Sequence, residues 1–336
     1  MRISVAVLLA LATLSPAAER VVLVEDFTNS ACSYCWTFEP TLNAFVDTYL
    51  ASGDLSMCRV HVNWPSSVDP VYLANPAEQN ARWSFYNVSG VPTIKVDGIV
   101  SGYPGIQSAY DIRKTVPCYL DIYVAKNPGS DSLSGEIGIR LIAEQDLGAA
   151  AALRVFSIIV EDNVMGAGYW AGSEFQQAFR DNLFGTIGPV VSFEAPYPDT
   201  VFVTAPYTIS SSWDPDELYL VTFVQEYAGA PNKEVMNADY VKFFDIETGI
   251  GETEGDVEGA VMSVVNPSRG FLSIGLELPS GSGGLLRVYD LGGRIVAERA
   301  VEGSSDLSID LATGMYLVRF TDDGGEEETA QAVLMR

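Results

Sequence analysis

Histidine is almost missing from this chain. His61 stands alone among 336 residues, which excludes any site built from several histidines around a metal. Basic residues are scarce too: 19 Lys and Arg face 44 Asp and Glu, for a formal net charge of −25. So acidic a chain lacks the basic patches that nucleic acid or an anionic membrane surface requires, and neither is expected as a partner. Beyond the N-terminus no stretch reaches the ~20 apolar residues of a spanning helix, so no transmembrane segment is expected in the mature chain. Cysteine is limited to four residues. What the chain does hold is packing material. Hydrophobic residues make up 48% and aromatics 11%, which excludes a disordered chain. The length suits two or three domains.

The first residues read as an address. Met1-Arg2 is a short basic start, Ile3 to Leu14 is an apolar run, and Ser15-Pro16-Ala17 supplies the small residues of a cleavage site. A signal peptide over 1–17, cut after Ala17, is the expectation. Export would place the cysteines where disulfides persist.

Strand and helix signals alternate from Val21 to Pro117. Val21 to Val24 reads as a buried strand. Phe38, Leu42, Phe45 and Tyr49 recur at helical spacing, which predicts a helix over 33–52 that is kinked or restarted at Pro40. Leu55 to Trp64 reads as a second strand, Asn75-Pro76 opens a short helix, and Asp97-Gly98 turns a hairpin. A mixed sheet flanked by helices is therefore expected over 18–117. From Cys118 to Phe244 the texture is β-branched and aromatic, with one short helix expected over Ser173–Leu183. A β-sandwich is expected over 118–245. Residues 246–258 are acidic and glycine-rich and read as a linker, and 259–336 reads as a second, smaller sandwich. The expected fold class is thus an α/β domain followed by two all-β sandwich domains.

The cysteines carry the chemistry. Cys32-Ser33-Tyr34-Cys35 falls where a strand ends and a helix begins. Free N–H groups and the positive end of the helix dipole there stabilise a thiolate on Cys32. Cys35, one turn further in, is placed to resolve a mixed disulfide. Ser33-Tyr34 brings no cation, so the very low thiolate pKa of strong oxidants is not expected. This CxxC, with Val91-Pro92 ahead of a hairpin strand, resembles the thioredoxin family. The resemblance implies that Val91 and Pro92 form a cis-proline loop that docks an incoming peptide. It also implies that Asp26, six residues before Cys32, is the buried acid that exchanges a proton with Cys35. Val22–Cys35 (VLVEDFTNSACSYC), Leu153–Asp162 and Val221–Glu226 look more specifically like the thioredoxin-like "outer membrane protein" family of bacterial surface proteins.

Cys58 and Cys118 are expected to form a structural disulfide, with a buried free thiol at Cys58 as the alternative. Cys58-Arg59-Val60-His61 imitates a zinc spacing. Residues three apart on a strand face opposite sides, however, and no metal site is expected. His61 is a candidate modulator of the Cys32 pKa, set against a structural role. Trp64, Trp83, Trp170 and Trp213 read as core.

At the C-terminus, Asn266-Pro267, then Val288-Tyr289-Asp290-Leu291-Gly292-Gly293-Arg294, then Leu311-Ala312-Thr313-Gly314-Met315-Tyr316 punctuate short strands. This pattern resembles the type IX secretion C-terminal sorting domain and the related immunoglobulin-like domain of flagellar-hook assembly proteins. It implies a cell-surface or secreted protein that meets the secretion machinery through its tail. The expectation for function is an exported thiol–disulfide oxidoreductase acting on protein or peptide thiols and disulfides, with no cofactor. The alternative is a redox-inactive surface binding or structural module.

Overall fold

The computed structural model describes residues 18–129, 132–229, 233–246, 260–264, 268–269, 272–279, 281–290, 292–303, 305–325 and 327–335. The expected signal peptide, Asn266-Pro267 and all of the expected linker except Ile246 lie outside these residues.

The chain divides into two units, Met1–Ile250 and Gly251–Arg336. In the first, β1 (Val22–Thr28) leads into α1 (Ser33–Leu50), β2 (Leu55–His61), α2 (Pro70–Ala74) and α3 (Pro76–Phe85). Next come β3 (Thr93–Val96), β4 (Val100–Ser101) and α4 (Ile106–Lys114). Strands then dominate: β5 (Leu120–Pro128), β6 (Ser134–Ala143), β7 (Leu153–Glu161), β8 (Val164–Met165), β9 (Glu174–Phe175) and β10 (Ala178–Asn182). The unit continues with β11 (Val190–Val191), β12 (Asp199–Thr208), β13 (Leu218–Glu226) and β14 (Val235–Lys242).

The expected opening α/β domain is corrected by the sheet order. One sheet runs β14-β13-β7-β10-β2-β1-β3-β4, with β11 on the side of β7, so early and late strands share a single β-rich layer. The junction is β2 against β10, where Arg59 lies opposite Ala178. Burial explains the merger. All seven residues of β2 are buried, and eight of the nine in β7 and in β13 are as well, which marks interior strands covered on both faces. On one face Leu153, Val155, Ile159, Leu218 and Leu220 pack with Ile139 and Leu141 of the sheet β12-β6-β5. On the other, Phe156, Ile158, Val221 and Phe223 pack with Tyr86, Trp83 and Phe85 at the end of α3. The helix expected over Ser173–Leu183 is also corrected. That stretch forms β9 and β10, because Ala178 and Phe179 are recruited by the ladder with β7.

In the second unit, strands Val261–Val264, Leu272–Glu277 and Ser305–Ile309 make one sheet. Ser268–Arg269, Glu327–Met335, Gly314–Asp322, Gly283–Asp290 and Ile295–Glu302 make another. They enclose a core that includes Leu272, Ile274, Leu286, Val288, Val318 and Phe320. The turn after Asp290 is tied by its side chain: Oδ1 accepts from Gly292 N and Arg294 N, each at 3.0 Å. Gly293 takes φ +78°, which a side chain would resist.

Candidate functional site

Cys32 is the N-cap of α1 and Cys35 lies in its first turn. The two form a disulfide, with Cα atoms 5.2 Å apart. Cys35 N–H donates to Cys32 Sγ at 3.1 Å, so an otherwise orphaned helix donor points at the sulfur. The Val91 carbonyl oxygen stands 3.6 Å from the same sulfur, and the Val91–Pro92 bond is cis. The helix continues through Pro40 to Leu50 and turns Cys35, Glu39, Leu42 and Val46 inward.

A charge cluster lies within the sheet. Asp26 of β1 is opposite Arg59 of β2 and Ile94 of β3, and its Oδ1 is buried with no hydrogen-bond partner among the described residues. Burial first, then repulsion from Glu39, pushes its carboxyl up to about 7, against the pull of Arg59. Arg59 is fully buried and binds Glu39 Oε1 at 3.3 Å and the Gln176 carbonyl at 2.7 Å, with further bonds to Asn43 and Gln177. Neither Glu39 nor Arg59 stood out in the sequence. A glutamate on the Cys35-Leu42-Val46 stripe of an amphipathic helix was the signal for the first.

His61 is buried, and its Nδ1 lies 2.9 and 3.0 Å from the two carboxylate oxygens of Asp69. The ring stands edge-on to Phe175 at 4.6 Å. Burial alone would raise the Asp69 carboxyl, but the charge and hydrogen bond of His61 hold it down at about 2. Asp69 also caps α2 through Val71 N and Tyr72 N, and its Oδ2 accepts from Ser30 N at 2.6 Å. His61 is therefore linked to the loop before Cys32 through Asp69 and Ser30. The Asp69-Pro70 cap of α2 was the local signal that could have drawn attention to Asp69, although it carries nothing about the pairing with His61.

The expected Cys58–Cys118 disulfide is corrected: both are free, buried thiols. Cys58 sits mid-strand in β2, in the core beside Phe156 and Phe223. Burial and Glu25 push its thiol up. Cys118 belongs to the other face, where its thiol donates to Leu120 O at 3.5 Å and Met236 O at 3.4 Å. Opposite faces of one sheet cannot bridge.

The pair has a cover. Trp170 and Phe175 pack in one cluster with Cys32, Cys35 and Val71, and Trp36 meets Trp170 edge-to-face at 5.2 Å. Cys32 is 5% exposed and Cys35 3%. Gly168 takes φ +60°, and a Cβ there would fall 2.4 Å from Ser30 O, so only glycine lets this segment approach. Among the described residues no group of three or more His, Cys, Asp or Glu could hold a metal ion, and no helix is long and apolar enough to cross a membrane.

Fold and site together define a β-rich protein of several sheets that carries a covered CxxC disulfide. Residues 266–334 match the secretion system C-terminal sorting domain family, the type IX tail that directs export to the cell surface or secretion and implies contact with that machinery. Among solved structures, HBP35 of Porphyromonas gingivalis is similar at 14% identity and a TM-score of 0.59, over 96% of this chain and all of that one, which shows a shared fold. Red sea bream transglutaminase, at 12% identity, 74% and 38% coverage and a TM-score of 0.21, is too distant to bear on the argument. No curated protein sequence matches.

Proposed function

We propose that this exported chain is a thiol–disulfide oxidoreductase acting on protein or peptide thiols and disulfides through Cys32 and Cys35. The observation that carries the reading is the disulfide at the start of α1, with the Cys35 N–H aimed at Cys32 Sγ. In the reducing direction, the Cys32 thiolate attacks a substrate disulfide, that S–S bond breaks, and one substrate sulfur leaves as a thiol. Cys35 then gives its proton to Asp26, attacks the Cys32 sulfur of the mixed disulfide and releases the second substrate thiol. Two electrons pass from the pair to the substrate. A carboxyl raised to about 7 suits that transfer near neutral pH. Val91 and Pro92 offer the backbone edge beside the sulfur, and His61 acts through Asp69 on the loop that carries Cys32.

A redox titration of the pair and an assay of disulfide reduction in an unfolded peptide test this. Cys32→Ser should abolish reduction, and peptide disulfide reduction no faster than in that variant would sink the reading. The coverage of both sulfurs favours a second reading, a static disulfide in a surface module.

A further inference from the structure

Strands β7 and β10 are antiparallel neighbours, with Glu161 opposite Ala178. A tight turn would join them, yet the chain runs out through residues 162–177 and back, and this strap lies over the disulfide. Its ends are tied together, since Asp162 Oδ1 accepts from Gln177 N at 2.5 Å and from Gln177 Nε2 at 2.8 Å. Its far part folds on itself through the β8–β9 pair and the bonds from Gly166 N to Ser173 O and from Ser173 N to Trp170 O. Toward the disulfide it presents Trp170, 1% exposed, and one backbone bond from Tyr169 N to Ser30 O at 2.9 Å. Outward it presents Met165 and Tyr169, both exposed, as is Tyr34 between the two cysteines at 72%. The Trp170 Nε1 donor is buried with no hydrogen-bond partner among the described residues.

We propose that Trp170 sets the specificity of the Cys32–Cys35 pair by holding this strap over it, so that a cysteine in an extended, apolar peptide reaches the disulfide and one on a folded surface does not. The inference rests on the redox reading above. A folded surface cannot approach sulfurs covered from the side of the strap. A single extended segment can pass beside Val91 and Pro92 and lay apolar side chains on the exposed Tyr34, Met165 and Tyr169. In the oxidising direction the peptide thiolate attacks Cys32 Sγ, the Cys32–Cys35 bond breaks, and Cys35 leaves as a thiolate that takes up a proton. A second peptide thiol attacks the mixed disulfide, the peptide departs as a disulfide, and the pair is left as two thiols holding its two electrons.

Single-turnover reduction of the oxidised full chain tests this with three reductants: dithiothreitol, a short unfolded apolar dithiol peptide, and a small folded protein bearing a surface dithiol. The peptide should outpace the folded protein. Trp170→Ala should speed the folded protein by about tenfold and leave dithiothreitol within about twofold, because access and not thiol chemistry has changed. Trp170→Phe should restore the selectivity. Equal rates for peptide and folded protein in the wild type would overturn the proposal, as would a Trp170→Ala effect equal for all three. Should Trp170→Ala not fold, Tyr169→Pro removes the N–H given to Ser30 together with the exposed ring offered to the peptide, and unchanged selectivity in it would overturn the proposal as well. Selectivity in single turnover without catalytic reduction of a disulfide-bonded unfolded peptide would sink the enzymatic reading alone, and turnover without selectivity would sink this proposal alone.

Discussion

Asp26 carries an energetic penalty at the pH where it would work. Its carboxyl is raised from 3.8 to about 7, so between those values the folded chain holds a proton that the unfolded chain releases. Stability therefore falls as pH rises from about 4 to 7, and the full penalty, on the order of 4 kcal/mol, stands above that window. Asp26→Asn should flatten this slope and raise stability at pH 8, read from urea unfolding at several pH values. A variant whose pH profile matches the wild type would show that Asp26 does not titrate in this window. Asp69 has the opposite sign. Held at about 2, it contributes stability that is present above pH 4 and lost as pH falls through 2. Asp69→Ala strips His61 of its partner and Ser30, Val71 and Tyr72 of an acceptor, and should cost about 3–5 kcal/mol in the same measurement.

Among the elements, β13 decides whether the first unit is one cooperative body. Phe223 is fully buried, stacks on Phe156 at 5.1 Å and sits under the Arg82 guanidinium at 5.0 Å. Arg82 in turn pairs with Glu25 on β1, whose Oε2 also accepts from the Tyr86 hydroxyl at 2.6 Å. Phe223→Ala should cost about 3–5 kcal/mol. Because β13 and β1 belong to one sheet, amide exchange in β1 should accelerate together with that in β13. Protection that survives in Val22–Thr28 while Leu218–Glu226 exchanges freely would mean two independently folding parts.

At the scale of the molecule, the division at Ile250 and the separate core of the tail imply separable duties. A chain ending at Ile250 should keep its thermal transition and its reaction with thiols at Cys32. It should fail to reach the surface of a type IX-competent host, measured by surface labelling. A truncated chain that is delivered normally would take the sorting role away from residues 266–334.

The tail was legible in sequence because its signals are local: Gly292-Gly293 must turn, and alternating residues must face one core or the solvent. The CxxC was legible for the same reason, since a helix N-terminus and its first turn are set by neighbours in the chain. The continuous sheet was not, because pairing of β2 with β10 joins Arg59 to Ala178 across distant sequence, and apolar runs such as Leu153–Glu161 do not say which strands they will lie beside. The same holds around the disulfide. Cys32 and Cys35 could be read from their spacing, whereas Asp26 was suggested by the resemblance to the thioredoxin family. Glu39 rides on the same helix as Cys35, but Arg59, Asp69 and Trp170 come from separate segments that only packing brings to these residues. Local geometry decided where the sulfurs stand, and long-range burial decided the charges, the cover and the free thiols at Cys58 and Cys118.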